Sequence, residues 1–540
     1  MKQTNRTADI IGRRLHEAGV RFAFGIPGGE VLTLIDGLEK SGINFILSKH
    51  ENAAGFMAEG VHHVTGAPAV LIATVGPGAA NAVNVTANAQ QDRVPLIVIT
   101  GCVDPVDSIT YNHQVFEHRL VFSPICKASF AVTDGYVEEL IDKAVAIATE
   151  GRPGPVHLDL PIAVAAKKHP LKRGMNRPIP APLRPANGQE LKLARKWLSE
   201  AKAPLIIAGL DAVHQNASQS ITNFARAFRI PVISTYKAKG VVSDENKFSL
   251  GGAGLSPLGD KNLAPVIEAA DLILLLGYDP IEMRSGWRNI WDSSTTRVIE
   301  LLAAPEYSYM HKASISFICD INEGIKAISQ GIEGSSVWKN DEPLLMRERH
   351  ANLYGQNDEW GPGVITQTIR NLVPKDTIIT MDSGAHRILI SQVWETYFPR
   401  TALQSSGLCT MGCALPLAAG VKLAAPDKTV IAFTGDGGLE MVLGELITLR
   451  DLGLPVIIVV FVDASLALIE KKQREMNYGN VGVDMIETDF TSIAGATGGR
   501  GVTVENRDQL STAINEALET SDRYTLISCK IPRGSYDGRI

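Results

Sequence analysis

Residues 433–441 read FTGDGGLEM. The run they close, KTVIAFTGDG, is apolar and β-branched, and it ends on a carboxylate ringed by glycines. A continuous apolar run of strand length is what a parallel sheet covered on both faces demands. Further along, LPVIIVVFVD (454–463) repeats the pattern and ends on a second aspartate. Asp436 and Asp463 lie 27 positions apart, separated by the helical stretch LEMVLGELITLRDLG. Strand, crossover helix and strand make a βαβ unit, which brings both strand ends to one edge of the sheet. Ligands of open α/β sheets bind beyond that edge. Two carboxylates there suit Mg²⁺, which takes a few protein oxygens together with phosphate and water. Gly435, Gly437 and Gly438 let backbone approach phosphate oxygens, and the helix that follows offers its first N–H groups. Taken alone, Gly-Asp-Gly is an ordinary turn, and the second aspartate is what gives it weight.

The same alternation of strand and helix runs through the chain in three blocks. The first contains RFAFGIPG, INFILSKHE, AVLIATVGPG, PLIVITG and GPVHLDLP; the second APLIIAGL, IPVISTY, DLILLLG and TTRVIEL; the third DTIITMDSG, KTVIAFTGDG, LPVIIVVFVD and YTLISCKI. A Pro- and Lys-rich passage at 167–188 and a polar, weakly patterned one at 330–360 read as linkers. The expected fold is α/β, with three doubly wound parallel-sheet domains over residues 1–168, 189–332 and 358–540.

Of 540 residues, 45% are hydrophobic and 20% charged, with a formal net charge of −6. That balance offers no basic surface for nucleic acid. No stretch is long and apolar enough for a membrane span. The opening MKQTNRTADIIGRRLHEAGV reads as a polar start and an amphipathic helix rather than a signal peptide, so a cytoplasmic location is expected. Cysteines at 102, 126, 319, 409, 413 and 529 show no zinc-site spacing and read as reduced thiols.

The first block has strand ends of its own. Glu51, in SKHENAAGFMAEG, stands where strand gives way to helix, a place where a carboxylate is also favoured by the helix dipole alone. Gly76-Pro77-Gly78 follows the next strand and can be simply a tight turn.

In order, GIPGG (25–29), HENAAGFMAEG (50–60), GPGAAN (76–81), GLCTMG-x-ALP (407–416), GDGG (435–438) and Asp463 resemble the thiamine diphosphate-dependent decarboxylases and carboligases over essentially the whole chain. Within them the chain is most similar to acetolactate synthases of the FAD-free catabolic type. HQVFEHRLVFSPICKASFAV (113–132), GYDPIE (277–282) and an aspartate rather than asparagine at 463 carry that likeness.

The resemblance implies pyrimidine-binding, middle and diphosphate-binding domains, with thiamine diphosphate and Mg²⁺ as cofactors and FAD not expected. Glu51 would be the carboxylate that tunes the aminopyrimidine, and Gln114 and His113 would stand on the substrate side. Asp436, Asp463 and the backbone oxygen of Ser465 would hold Mg²⁺. Met411, 25 residues before Asp436, would prop the cofactor in its bent form. Pro27, Gly28, Gly76, Asn81, His386, Leu408, Gly435, Gly437, Gly438 and Leu466 complete the implied cofactor site. In the family, first and third domains meet across subunits. A homodimer is therefore the minimum, and a homotetramer is expected.

The implied reaction is decarboxylation of a 2-oxo acid such as pyruvate, then ligation of the resulting enamine to a second carbonyl. Departures lie at the acceptor side. VDASLALIEKKQREMNYG (462–479) carries Leu466 where the catabolic synthases have an aromatic, and LCTM (408–411) lacks their glutamine. Another enzyme with the same cofactor (a 2-oxo acid decarboxylase, an aldehyde lyase or an acetyltransferase) stands as the alternative, and a non-catalytic ligand-binding relative as a further one.

Overall fold

A computed structural model describes residues 4–170, 180–334, 338, 342–350 and 352–540. It contains three six-stranded sheets, every pairing within them parallel, as near-continuous apolar runs require. In spatial order the first comprises Asn44–Leu47, Phe22–Gly25, Ala69–Ala73, Leu96–Cys102, Val156–Pro161 and Ala128–Ala131. The second comprises Ser249–Ala253, Val232–Thr235, Pro204–Ala208, Leu272–Leu276, Arg297–Leu302 and Ile315–Ile318. The third comprises Ala402–Gln404, Ile378–Met381, Val430–Gly435, Ile457–Val462, Thr525–Lys530 and Arg500–Val504.

Counted along their own domains, the first and third sheets share one strand order, 2-1-3-4-6-5, and the middle sheet runs 3-2-1-4-5-6. In the two like sheets the order reverses between strands 1 and 3. The ligand crevice of each is therefore expected beyond Gly25 and Ala73 in the first, and beyond Met381 and Gly435 in the third.

Within the three six-stranded sheets, five strands escape the sequence reading: Ala128–Ala131, Ser249–Ala253, Ile315–Ile318, Ala402–Gln404 and Arg500–Val504. Each lies at a sheet edge. An edge strand pairs on one side only and carries polar residues and glycine without penalty, so its apolar signal is weak.

Two further readings are corrected. The stretch 439–453 is not one helix: Asp436–Glu440 and Glu445–Leu452 are helical, with a tight turn between them. The break sets the buried Glu445 where its carboxylate accepts the Lys49 backbone N–H at 3.0 Å. The linkers at 167–188 and 330–360 lie partly outside the described residues, but Glu342–His350 within the second is a helix. Met346 on it is buried in the middle domain's core, and Arg347 donates to the carbonyls of Asp244 and Asn246.

One core cluster runs through the first and third domains. Phe56 and Met57 of helix Glu51–Thr65 share it with Leu417 and Val421 of helix Ala414–Ala424. At the junction of all three domains, Lys237 Nζ lies 3.1 Å from Asp92 Oδ2 and 3.2 Å from the Gln404 carbonyl, fully sequestered. A buried ammonium persists only where paired and hydrogen-bonded, as it is here.

Candidate functional site

The loops beyond strands 1, 3 and 4 of the third sheet enclose a cavity of about 140 Å³. Gly435, Asp436, Gly437 and Gly438 come from the first of the quoted strand ends, and Asp463, Ser465 and Leu466 from the second. Ser383, Gly384, His386 and Met411 close the other side. Two aspartates 27 positions apart thus meet as the βαβ geometry requires.

Asp436 is the organiser. Its Oδ2 accepts the backbone N–H groups of Asp463 (3.2 Å) and Ala464 (2.8 Å), and its Oδ1 accepts that of Gly437 (2.8 Å). Ala464 adopts φ +53° to deliver its N–H, a left-handed conformation that L-residues avoid and that marks a constrained site. Burial raises the Asp436 carboxyl above its usual range. Burial and then the Asp436 charge push Asp463 up to about 7. Asp463 Oδ2 is buried and has no hydrogen-bond partner among the described residues. An orphaned carboxylate oxygen beside a second carboxylate is a site lacking its counter-charge. Ser465 donates its hydroxyl to Glu470 Oε2 at 2.5 Å, which leaves its backbone oxygen to the loop.

A third strand-end aspartate, not singled out in the sequence, holds the cavity together. Asp382 is fully buried; its Oδ1 pairs with His386 Nε2 at 2.9 Å and its Oδ2 accepts the Gly412 N–H at 2.7 Å. A Cβ on Gly438 would stand 2.0 Å from the same Oδ2. Gly438 is therefore glycine because Asp382 occupies the space of its side chain. His386 stacks on Phe461 with ring planes 17° apart. The strand-end rule that selects Asp436 also applies to TMDSG, and it was the available signal. Leu408 does not line the cavity; it is half-buried on the approach to Met411.

The first domain assembles a second group at its own switch point. Glu51 opens helix Glu51–Thr65, is buried, and accepts Asn81 Nδ2 at 2.9 Å through Oε2. Gly78 leaves room for Oε1, which a Cβ would approach to 3.0 Å. Gly76 has φ +70°, and a Cβ there would lie 2.5 Å from the Gln114 carbonyl, itself on a residue with φ +60°. His118, unmarked in the sequence reading, ties Gly76 to the strand bearing Asp159: its Nε2 accepts the Gly76 N–H at 3.3 Å and its Nδ1 meets Asp159 at 3.0 Å. Gly28 faces Thr74, whose hydroxyl would meet its Cβ at 2.2 Å. Pro27, His113 and Gln114 are exposed, His113 edge-on to Tyr111. None of these first-domain residues lines the third-domain cavity.

Three family models match the chain in order. They are the thiamine pyrophosphate enzyme N-terminal TPP binding domain over residues 5–119, the central domain over 191–328 and the C-terminal TPP binding domain over 382–529. The chain belongs to the thiamine pyrophosphate enzymes. Among curated relatives of this enzyme, acetolactate synthase of Bacillus subtilis (strain 168) is 29% identical over 556 residues, covering 98% of this chain and 96% of that one. The large subunit of acetolactate synthase isozyme 3 of Escherichia coli (strain K12) is 29% identical, covering 95% and 92%. The acetolactate synthase large subunit of Lactococcus lactis subsp. lactis (strain IL1403) is 29% identical, covering 98% and 93%. No helix among the described residues is long and apolar enough to cross a membrane.

Proposed function

We propose that this enzyme is an acetolactate synthase-like carboligase of the FAD-free type, with thiamine diphosphate and Mg²⁺ as cofactors. It would take pyruvate or a related 2-oxo acid as donor and a second carbonyl compound as acceptor. In this reading residues 1–168 bind the pyrimidine, 358–540 the diphosphate and metal, and 189–332 form the middle domain. The observation that carries it is the orphaned Asp463 Oδ2 beside Asp436, over a glycine turn that admits phosphate oxygens. Among the described residues no group of three His, Cys, Asp or Glu side chains could hold a metal alone. Mg²⁺ held by Asp436, Asp463 and Ser465 would complete its shell from diphosphate and water, as it prefers.

When bound, thiamine diphosphate supplies the electron sink for breaking one bond beside a carbonyl carbon and forming another. The chain's residues position and protonate. Glu51 Oε2 is held by Asn81 Nδ2, which would leave Oε1 free to hold a proton toward a bound pyrimidine. Met411 on the cavity wall would help hold the cofactor, and Gln114 and His113 would stand on the substrate side. Leu466, Ala467 and Leu468 would give the reacting edge an apolar lining.

Glu51 and the cavity belong to different half-sites. Both domains expose apolar side chains, among them Val106, Ile109 and Leu120 in the first, and Met441, Tyr478, Val481 and Ile486 in the third. Exposed apolar patches of this kind mark interaction surfaces. A two-fold dimer, itself paired into a tetramer, would bury them and join Glu51 of one subunit to Asp436 of the other.

The apolar run 466–469 favours a second reading, a lyase or decarboxylase of the same cofactor acting on a bulkier apolar 2-oxo acid. Product analysis by NMR, with Mg²⁺, thiamine diphosphate and labelled pyruvate, separates the two. Acetolactate with one CO₂ released for every two pyruvate consumed establishes the first. Acetaldehyde, or turnover only of larger 2-oxo acids, establishes the second.

A further inference from the structure

The cavity has one wall that no motif foreshadows. After strand Thr525–Lys530 the chain turns back over the metal-side loop, and the Ile531 N–H donates to the Val462 carbonyl at 3.0 Å. Arg533 Nε donates to Glu470 Oε2 at 3.0 Å, and the same guanidinium meets Asp484. Arg474 donates twice to Asp537 (2.6 and 2.8 Å), and Arg539 Nη2 lies 2.9 and 3.0 Å from the oxygens of Asp358. Ile540 is buried in the third domain's core. Tethers on both sides thus fix residue 536.

Tyr536 is 4% exposed and lines the cavity with Asp436, Asp463 and His386. Its ring belongs to the core cluster that also contains Phe433 and Phe461. Its hydroxyl makes no hydrogen bond among the described residues, although the phenol of a largely buried tyrosine normally finds a partner. A phenol carries its proton at neutral pH and is a donor there. The same cavity is thus lined by a phenol without an acceptor and by a buried carboxylate oxygen, Asp463 Oδ2, without a partner. An anion bridged to a cation satisfies both at once.

We propose that Tyr536 is a further cofactor-binding residue, its hydroxyl donating to an oxygen of the diphosphate held with Mg²⁺ against Asp436 and Asp463. The proposal rests on the diphosphate reading of this cavity given above. It adds a recognition element from segment 531–540, outside all the glycine motifs.

Full-length wild type and Tyr536→Phe are titrated calorimetrically, in buffer containing Mg²⁺, with thiamine diphosphate and separately with inorganic pyrophosphate. Both proteins are also melted without ligand. The Phe variant is expected to melt no lower than wild type, because it removes a hydroxyl that has no partner in the protein. It is expected to bind both ligands roughly tenfold more weakly, the loss of one charge-assisted hydrogen bond. Equal affinity of the two proteins overturns the proposal. So does a defect for thiamine diphosphate with none for pyrophosphate, or a lower melting temperature without ligand. If wild type itself binds neither ligand, the diphosphate reading fails first and takes the proposal with it. Tyr536→Met, which also lacks a donor and keeps apolar bulk, gives the same reading should the Phe variant not fold.

Discussion

Gly60 and Gly420 mark the crossing of the two helices that join the first domain to the third. A Cβ on Gly420 would stand 1.9 Å from the Met57 carbonyl oxygen, and one on Gly60 2.3 Å from that of Leu417. Both obstacles are backbone, which cannot swing aside as a side chain can. Close approach of this kind is a structural use of glycine, and it holds helix Glu51–Thr65, with Glu51 at its start, in a fixed relation to helix Ala414–Ala424. Gly420→Ala is therefore expected to destabilise the protein by about 3 kcal/mol or more through overpacking. A urea titration checks it; an unchanged midpoint would show that the helices separate freely.

Asp382 joins three loops through one carboxylate. Asp382→Ala leaves the Gly412 N–H without its partner and His386 without its anchor, at a cost of about 1–3 kcal/mol. Because Gly412 follows Met411, the same variant should weaken cofactor binding as well. Melting and calorimetric titration together test this. A stability loss with undiminished cofactor affinity would confine Asp382 to a structural role.

The proposed division of the site between subunits has a genetic readout. Glu51→Gln and Asp436→Ala are each expected to abolish turnover. Mixed by co-expression they should recover roughly a quarter of wild-type activity, because half of the dimers are hybrid and each hybrid has one intact site. No recovery would place Glu51 and Asp436 in one chain's site.

Glu282 carries a pH signature. Its Oε1 accepts the Lys237 N–H at 3.1 Å, and burial, with Asp279 adding to it, pushes the carboxyl up to about 8. The folded state keeps a proton that the unfolded chain loses in the ordinary carboxylate range. Between that range and about pH 8 the native state binds more protons, so stability falls as pH rises and then levels off. Glu282→Gln removes this dependence. Its melting temperature should fall less than that of wild type from about pH 5 to about pH 8. Parallel curves for the two proteins would mean that Glu282 is ionised throughout.

Residues that act through local chain geometry were legible without a structure. The continuous apolar strands specify parallel sheets, and KTVIAFTGDG and LPVIIVVFVD place Asp436 and Asp463 at one edge because a crossover helix allows no other outcome. The edge strands were not legible, since ALQ and RGVTV are short and paired on one side only.

By itself, then, the sequence determined the three α/β layers, the strand-end aspartates, and the motif order that thiamine pyrophosphate enzymes share. Only the tertiary structure decided that Gly76 yields to the Gln114 carbonyl, that Asp382 fills the space beside Gly438, and that Tyr536 lines the cavity with Asp436 and Asp463. The reason is sequence separation. Gly76 and Gln114 are 38 positions apart, and Tyr536 and Asp436 exactly 100 in the numbering. Contacts over such distances depend on how packed elements come together, and no local propensity or period records that.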